Sequence, residues 1–220
     1  MTQLLYTAEL ALNPEDRKDF LDWYAYRHAP DLYAIGFKVC TCYQAIIGDM
    51  TFFDLYEIDG LEVFDSAGYA RMAANDLYAA EILARRRDKA HTLYRQHFLA
   101  PVETHDAPTL DADWLSVLRF DATSNFVELV QTLAADAADL VCAGAVRVRL
   151  AERSGVHPVY TTSRPQFMIV VEWSRKPDDA KAQLLQLQER LRPFVSEMLP
   201  FFGNRVFPWP NLAADTGGSA

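Results

Sequence analysis

The sequence predicts an α+β protein made of two tandem ferredoxin-like (βαββαβ) repeats that pack on each other as one intramolecular, pseudo-dimeric α+β barrel. Three observations lead there. The order strand, helix, strand, strand, helix, strand is readable twice, at a spacing of about 110 residues. The two copies are separated by PVETHDAPTLDAD, a stretch with two prolines and few large apolar residues. A four-stranded sheet with both helices on one face leaves its other face bare, and a second such sheet supplies the cover.

In the first repeat, taken as residues 1–105, alternation from Leu4 to Leu12 predicts a strand that ends at Asn13-Pro14. Asn13 as cap, Pro14 at the first position and Asp16 near the positive end open a helix whose apolar face takes Phe20, Leu21, Tyr24 and Trp23. Pro30 is expected to bend or end it. Phe37 to Ile47 and Thr51 to Ile58 read as a hairpin around Gly48-Asp49. An Ala-rich helical region follows from about Ser66 to Lys89, in two pieces, and Leu93 to Leu99 makes the fourth strand, stopped before Pro101.

After a linker at 106–113 the second repeat is taken as 114–210. Its strands are Trp114 to Asp121, Ala143 to Ala151, Gln166 to Trp173 and a short Asn204 to Phe207. The helices are Ser124 to Leu140, capped by Ser124, and Asp178 to Leu199, disturbed at Pro193. Residues 152–165 form a polar loop, and 211–220 read as a disordered tail.

Composition narrows the functions. Half of the 220 residues are apolar, enough for a real core, and 30 acidic against 21 basic side chains give a net charge of -9. Such a surface repels a polyanion, so nucleic acid is not expected as a partner. Cys40, Cys42 and Cys142 form neither an even set nor a CxxC pair, which suits a reducing compartment; Cys40 and Cys42 share a strand face as small buried apolar groups. The first residues lack a signal-peptide pattern and no run is long enough to span a bilayer, so a cytoplasmic protein without membrane contact is expected. Gly-rich phosphate loops, HExxH and GxSxG are missing from the sequence. No metal and no cofactor is therefore expected.

The passage Asp22-Trp23-Tyr24-Ala25-Tyr26-Arg27-His28-Ala29-Pro30-Asp31, followed by Gly36-Phe37 leading into a strand, resembles the first-helix signature of the EthD-like group in the dimeric α+β barrel superfamily. The resemblance extends over residues 2–60. It is topological beyond them, because TSNFVELVQTLAADAADL in the second repeat has no aromatic and histidine pattern. It implies one site per chain, in the first repeat, with the second kept as a structural partner. Relatives in this superfamily include cofactor-free monooxygenases, cyclases, dehydratases, decarboxylases and haem enzymes. The centre of that range is a cofactor-independent lyase, dehydratase, decarboxylase or cyclase acting on a small aromatic or polyketide-like molecule. The alternatives are a cofactor-free monooxygenase and a non-catalytic binder of small molecules.

His28 is the first candidate for proton transfer: an imidazole exchanges a proton near neutral pH, and Tyr24 lies four residues earlier on the same helical side. The plainer role is to cap carbonyls at a helix end. Asp31 is placed to orient His28, or to stand solvated in a loop. Arg27 suits a substrate carboxylate or the surface, and Trp23 offers a flat wall to an aromatic ligand or a core contact. His97, on the predicted fourth strand with Arg95 on the same side, is a second acid-base candidate if that face looks inward, and the residue that would hold haem if haem were bound. His91, His105 and His157 read as solvated. Glu9, Gln44, Asp54 and Tyr56 in the first repeat, and Arg119, Arg147, Arg149 and Glu172 in the second, are polar positions that can face inward. Of these, Tyr56, Arg147 and Arg149 are substrate-binding candidates, with a structural ion network across the repeats as the competing reading for the arginines. Phe201, Phe202, Phe207 and Trp209 are expected as exposed aromatics that would support a homodimer.

Overall fold

Strand β1 (Leu4–Ala11) has every residue buried, so alternation sorts its side chains between two cores rather than between core and water. Tyr6, Ala8 and Leu10 face the helices, while Leu5 belongs to the barrel interior. The computed structural model describes residues 4–101, 112–123, 126–160 and 164–208. β1 pairs antiparallel with β3 (Phe52–Ile58) and with β4 (Asp88–Ala100), and β3 pairs with β2 (Val39–Ile47). The second repeat repeats the order: β5 (Trp114–Ala122) lies between β7 (Phe167–Trp173) and β8 (Val195–Phe207), and β6 (Ala145–Arg153) pairs with β7.

The edges of the two sheets then meet. β2 pairs with β8 and β4 pairs with β6, closing a barrel of order β1-β3-β2-β8-β5-β7-β6-β4. Closure removes the exposed edges that each half would carry alone. At the β2–β8 seam the backbones approach so closely that a Cβ on Gly203 would lie 2.4 Å from the Gln44 carbonyl oxygen. The expected two-repeat α+β barrel is thus the architecture observed.

Helices cover the outside. The first helical segment runs as α1 (Arg17–Trp23), a π-helical turn over Tyr24–His28, and α2 (Ala29–Ala34). Pro30 does not end it. The π turn lets Ala29 N–H reach back to the Tyr24 carbonyl, and Pro30 falls in the first turn of α2, where a missing N–H is tolerated. Gly36, at φ 109°, closes α2, with Phe37 N–H bonded to the Leu32 carbonyl. α3 (Ala67–Asn75) and α4 (Leu77–Ala84) are the two pieces of the next helical region, which stops short of the expected Lys89 because β4 begins at Asp88. α5 (Phe126–Cys142) and α6 (Ala180–Leu191) cover the second sheet.

The largest correction concerns residues 195–199, expected as the end of a helix, with the last strand expected only from Asn204. They are strand, because β8 runs for 13 residues and seals the barrel between β5 and β2. This also buries Phe201 and Phe202, which were expected on the surface; Trp209 lies outside the described residues, as do Ser124, His105, the tail and most of the linker.

The barrel interior holds apolar side chains such as Leu55, Val117 and Val170 together with balanced ion pairs. Arg149 bridges Glu57 of the first repeat and Glu172 of the second at 2.6 and 2.8 Å, and Arg147 also meets Glu172 at 2.8 Å. Glu9 receives both Arg119 and Arg164, and Arg164 continues to Asp49. These pairs tie the repeats together through groups whose separation would leave charges buried and unpaired. No helix among the described residues is long and apolar enough to cross a membrane.

Candidate functional site

On the other side of the first sheet, between its outer face and α1–α4, lies a cavity of about 470 Å³. β1 and β3 form the floor through Tyr6, Ala8, Asp54 and Tyr56, and α3 and α4 close the roof with Tyr69, Met72 and Ala79. Trp23 and His28 stand in one wall. The corresponding space over the second sheet is filled by Leu133, Ala137, Leu187 and their neighbours, leaving about 10 Å³.

The π turn accounts for the geometry of that wall. It winds the chain wider, so that His28 comes to rest on Trp23, five residues before it, with ring centroids 4.4 Å apart and planes at 26°. Trp23 is itself held: its Nε1–H donates to Asp76 Oδ2 at 2.9 Å, and Asp76 Oδ1 caps α4 by accepting Ala79 N–H at 2.8 Å. Burial lowers the His28 pKa to about 4, against the attraction of the Asp76 carboxylate, so the imidazole is neutral through the physiological range.

The far end of the cavity is closed by the second repeat. The loop between β6 and β7 carries His157 and Tyr160 across to β4. Tyr160 stacks on His91 at 3.9 Å, Lys89 sits over its ring, and Ser154 N–H bonds the Leu93 carbonyl. His157 accepts the N–H groups of Val159 and Tyr160 on Nδ1 at 3.1 and 3.2 Å, which places its proton on Nε2, 3.4 Å from the Tyr69 hydroxyl. His91 Nδ1 and the Tyr6 hydroxyl share a hydrogen bond of 2.6 Å. Burial brings His157 to about 4; burial, with His157 and Lys89 nearby, brings His91 to about 3. Neither histidine is solvated in the way the sequence suggested: strand β4 starts early enough to put His91 on its outer face, and His157 is buried.

Tyr24 is buried, with its ring 5.6 Å from that of His28 and its hydroxyl donated to the Thr41 carbonyl at 3.2 Å. Asp31 pairs with Arg27 at 3.1 Å on the helix surface rather than with His28. His97 is exposed, 2.7 Å from Glu152, within the register irregularity of β4 between Gln96 and Phe98, and Arg95 is exposed too. Arg147 and Arg149 lie in the barrel interior, in the ion network and away from the cavity. Trp23, His28 and Tyr56 are the candidates that the fold brings to one cavity. Asp54, Asp76, His91 and Tyr160 join them without having been chosen. Asp54 carried a signal, as an acid in an apolar strand; a loop residue from the other repeat carries none that a single sequence reveals.

No family model matches the chain and no curated protein matches it. Solved structures do. An anthrone oxidase-like protein is similar with a TM-score of 0.64 at 12% identity, covering 93% of this chain and 91% of its own. A proposed monooxygenase from Lactobacillus acidophilus NCFM gives 0.58 at 7% identity, over 93% and 94%. A heme-binding protein from Thermus thermophilus gives 0.54 at 13% identity, over 93% and 91%. These likenesses show a shared fold, the two-repeat α+β barrel described above.

The cavity does not suit haem. A porphyrin brings two carboxylates, whereas the described lining offers one cation, Arg86, beside the acids Asp54 and Asp76. Among the described residues there is also no cluster of three or more His, Cys, Asp or Glu arranged to hold a metal ion.

Proposed function

We propose that this protein is a cofactor-independent enzyme of the EthD-like kind that removes a proton from a planar aromatic or polyketide-like substrate and passes the resulting carbanion to molecular oxygen, as a monooxygenase. The observation that carries this reading is the aromatic-walled cavity of about 470 Å³ with a neutral imidazole, His28, set in its wall. Similarity to an anthrone oxidase-like protein and to a proposed monooxygenase supports oxygen chemistry over the oxygen-free lyase or cyclase reaction.

An anthrone-type ketone illustrates the chemistry. Its ring CH₂ is acidic because the anion is delocalised onto the carbonyl oxygen. His28 takes that proton, and Asp76, whose charge favours the protonated ring, stabilises the imidazolium. The carbanion gives one electron to O₂, the radical pair joins as a C–O bond, the His28 imidazolium returns its proton to the resulting peroxide anion, and the hydroperoxide loses water to leave a second ketone. In sum, CH₂ and O₂ become C=O and H₂O. Stacking against Trp23 and Tyr6 supplies the positioning that such a reaction needs.

The same groups fit a second reading, in which Asp54 returns a proton to the substrate and oxygen takes no part; the buried carboxyl is the observation in its favour. Anthrone as test substrate separates the two. One O₂ consumed per anthrone, with one oxygen atom from labelled O₂ in the product, supports the monooxygenase. Equal turnover without oxygen would assign the chain to the lyase class, and binding without turnover would leave a carrier.

A further inference from the structure

Along β3 the helix side is occupied by Phe52, Asp54, Tyr56 and Ile58, a row in which Asp54 is the one acid. Its side chain is 2% exposed and forms part of the cavity floor. Directly across β1 it faces Ala8, whose small side chain leaves the space above the carboxyl open to the cavity, and across β2 it faces Cys42. Oδ1 has no hydrogen-bond partner among the described residues. A buried, half-satisfied acid costs stability, and its place on a cavity floor asks for a ligand atom to satisfy it.

We propose that Asp54 is a neutral hydrogen-bond donor that anchors the carbonyl or phenolate oxygen of the substrate, so that the ligand is a fused-ring ketone or phenol carrying its oxygen on the edge that faces β3. This rests on the aromatic-ligand reading above and adds the substrate class and the atom that is held. The groups around the carboxyl are thiols, phenols and another acid: Cys40 and Cys42 from β2, Tyr56 from β3, Tyr6 and, from the barrel side, Glu9 of β1, and Tyr24 of the π turn. None is a cation that would favour ionisation. Burial pushes the Asp54 pKa up to about 8 against the hydrogen bonds of Cys42 and Tyr56, so the proton is in place at neutral pH. When His28 removes the substrate proton, negative charge develops on the oxygen, and the Asp54 O–H bond to it strengthens without any transfer. A carboxylic acid kept neutral by an apolar site is an established way to hold an oxyanion.

The test uses 9-fluorenone, a tricyclic ketone without an acidic ring CH₂, with wild type, Asp54→Asn and Asp54→Leu. In wild type the carbonyl stretch of the bound ketone moves to lower frequency, and the infrared band of a protonated carboxyl, absent from Asp54→Asn, persists at pH 7. Asp54→Asn keeps an N–H donor and binds within about threefold of wild type. Asp54→Leu loses the donor and binds about tenfold more weakly, with the carbonyl band back near its position in an apolar solvent. Unchanged affinity and an unchanged carbonyl band in Asp54→Leu would overturn the proposal, as would an ionised Asp54 at pH 7 in wild type. Failure of wild type to bind fluorenone would instead overturn the aromatic-ligand reading, and this inference with it.

Discussion

The substitution Asp54→Asn separates the folded protein's need for a proton from every other pH effect. An acid whose pKa rises on folding, here from 3.8 to about 8, contributes its full stability below pH 3.8 and loses it as the pH climbs towards the folded value. The unfolded chain ionises the carboxyl freely, while the folded chain must keep it neutral. Asparagine never ionises, so the stability of the variant relative to wild type grows with pH. Integrating the two titrations between pH 5 and pH 8 gives a relative gain of about 4 kcal/mol. Contributions from His28, His91 and His157, which lower stability as the pH falls below about 6.5, cancel between the two proteins. The cost of burying an amide falls on the variant alone but is the same at both pH values, so it drops out of the change with pH. Urea unfolding followed by tryptophan fluorescence at the two pH values measures this difference directly. Parallel stability curves for wild type and variant would mean instead that Asp54 ionises as easily in the fold as outside it, and that no neutral carboxyl is held there.

Other substitutions probe the base, the cavity wall and the ion pairs one at a time. His28→Ala should lower turnover by about 10²- to 10⁴-fold with the circular dichroism spectrum unchanged, as expected for loss of a general base. Tyr160→Ala removes the ring stacked on His91, so the His91 pKa, now about 3, should move up towards 6.5 in an NMR titration. Arg149→Met leaves Glu57 and Glu172 short of their shared cation and should cost about 3–5 kcal/mol of unfolding free energy, read from urea denaturation. Asp31→Asn breaks an exposed ion pair with Arg27 and should change stability by less than about 0.5 kcal/mol, with turnover intact.

The element order was legible because local chemistry marks it. Asn13-Pro14 opens the first helix, Gly48-Asp49 turns the first hairpin, and the strands between them alternate. Residues 195–203 were not legible, for a physical reason. Leu184, Leu187, Leu191, Val195 and Met198 continue a helical spacing past Pro193, yet the barrel needs a strand between β5 and β2, and that pairing overrides the local pattern. In the site, Trp23 and His28 could be found from one helical segment, although α-helical spacing pointed His28 at Tyr24 and the π turn places it on Trp23. Asp76 hid in an Ala-rich stretch as the residue that divides two helices and caps the second. From a loop of the other repeat Tyr160 reaches the cavity and His157 packs against Tyr6 and Phe64 behind its lining, contacts that only the closed barrel creates.

Everything proposed for the reaction requires that the space between the first sheet and α1–α4 receive the substrate. The most direct measurement is a crystal structure with 9-fluorenone soaked into the protein at neutral pH. The expected density is a tricyclic ring system stacked by Trp23 and Tyr6, with its carbonyl oxygen within hydrogen-bond reach of Asp54 and its opposite edge beside His28. Ligand density confined to the outer surface near Arg27 and Tyr78, with side chains filling the cavity, would contradict it.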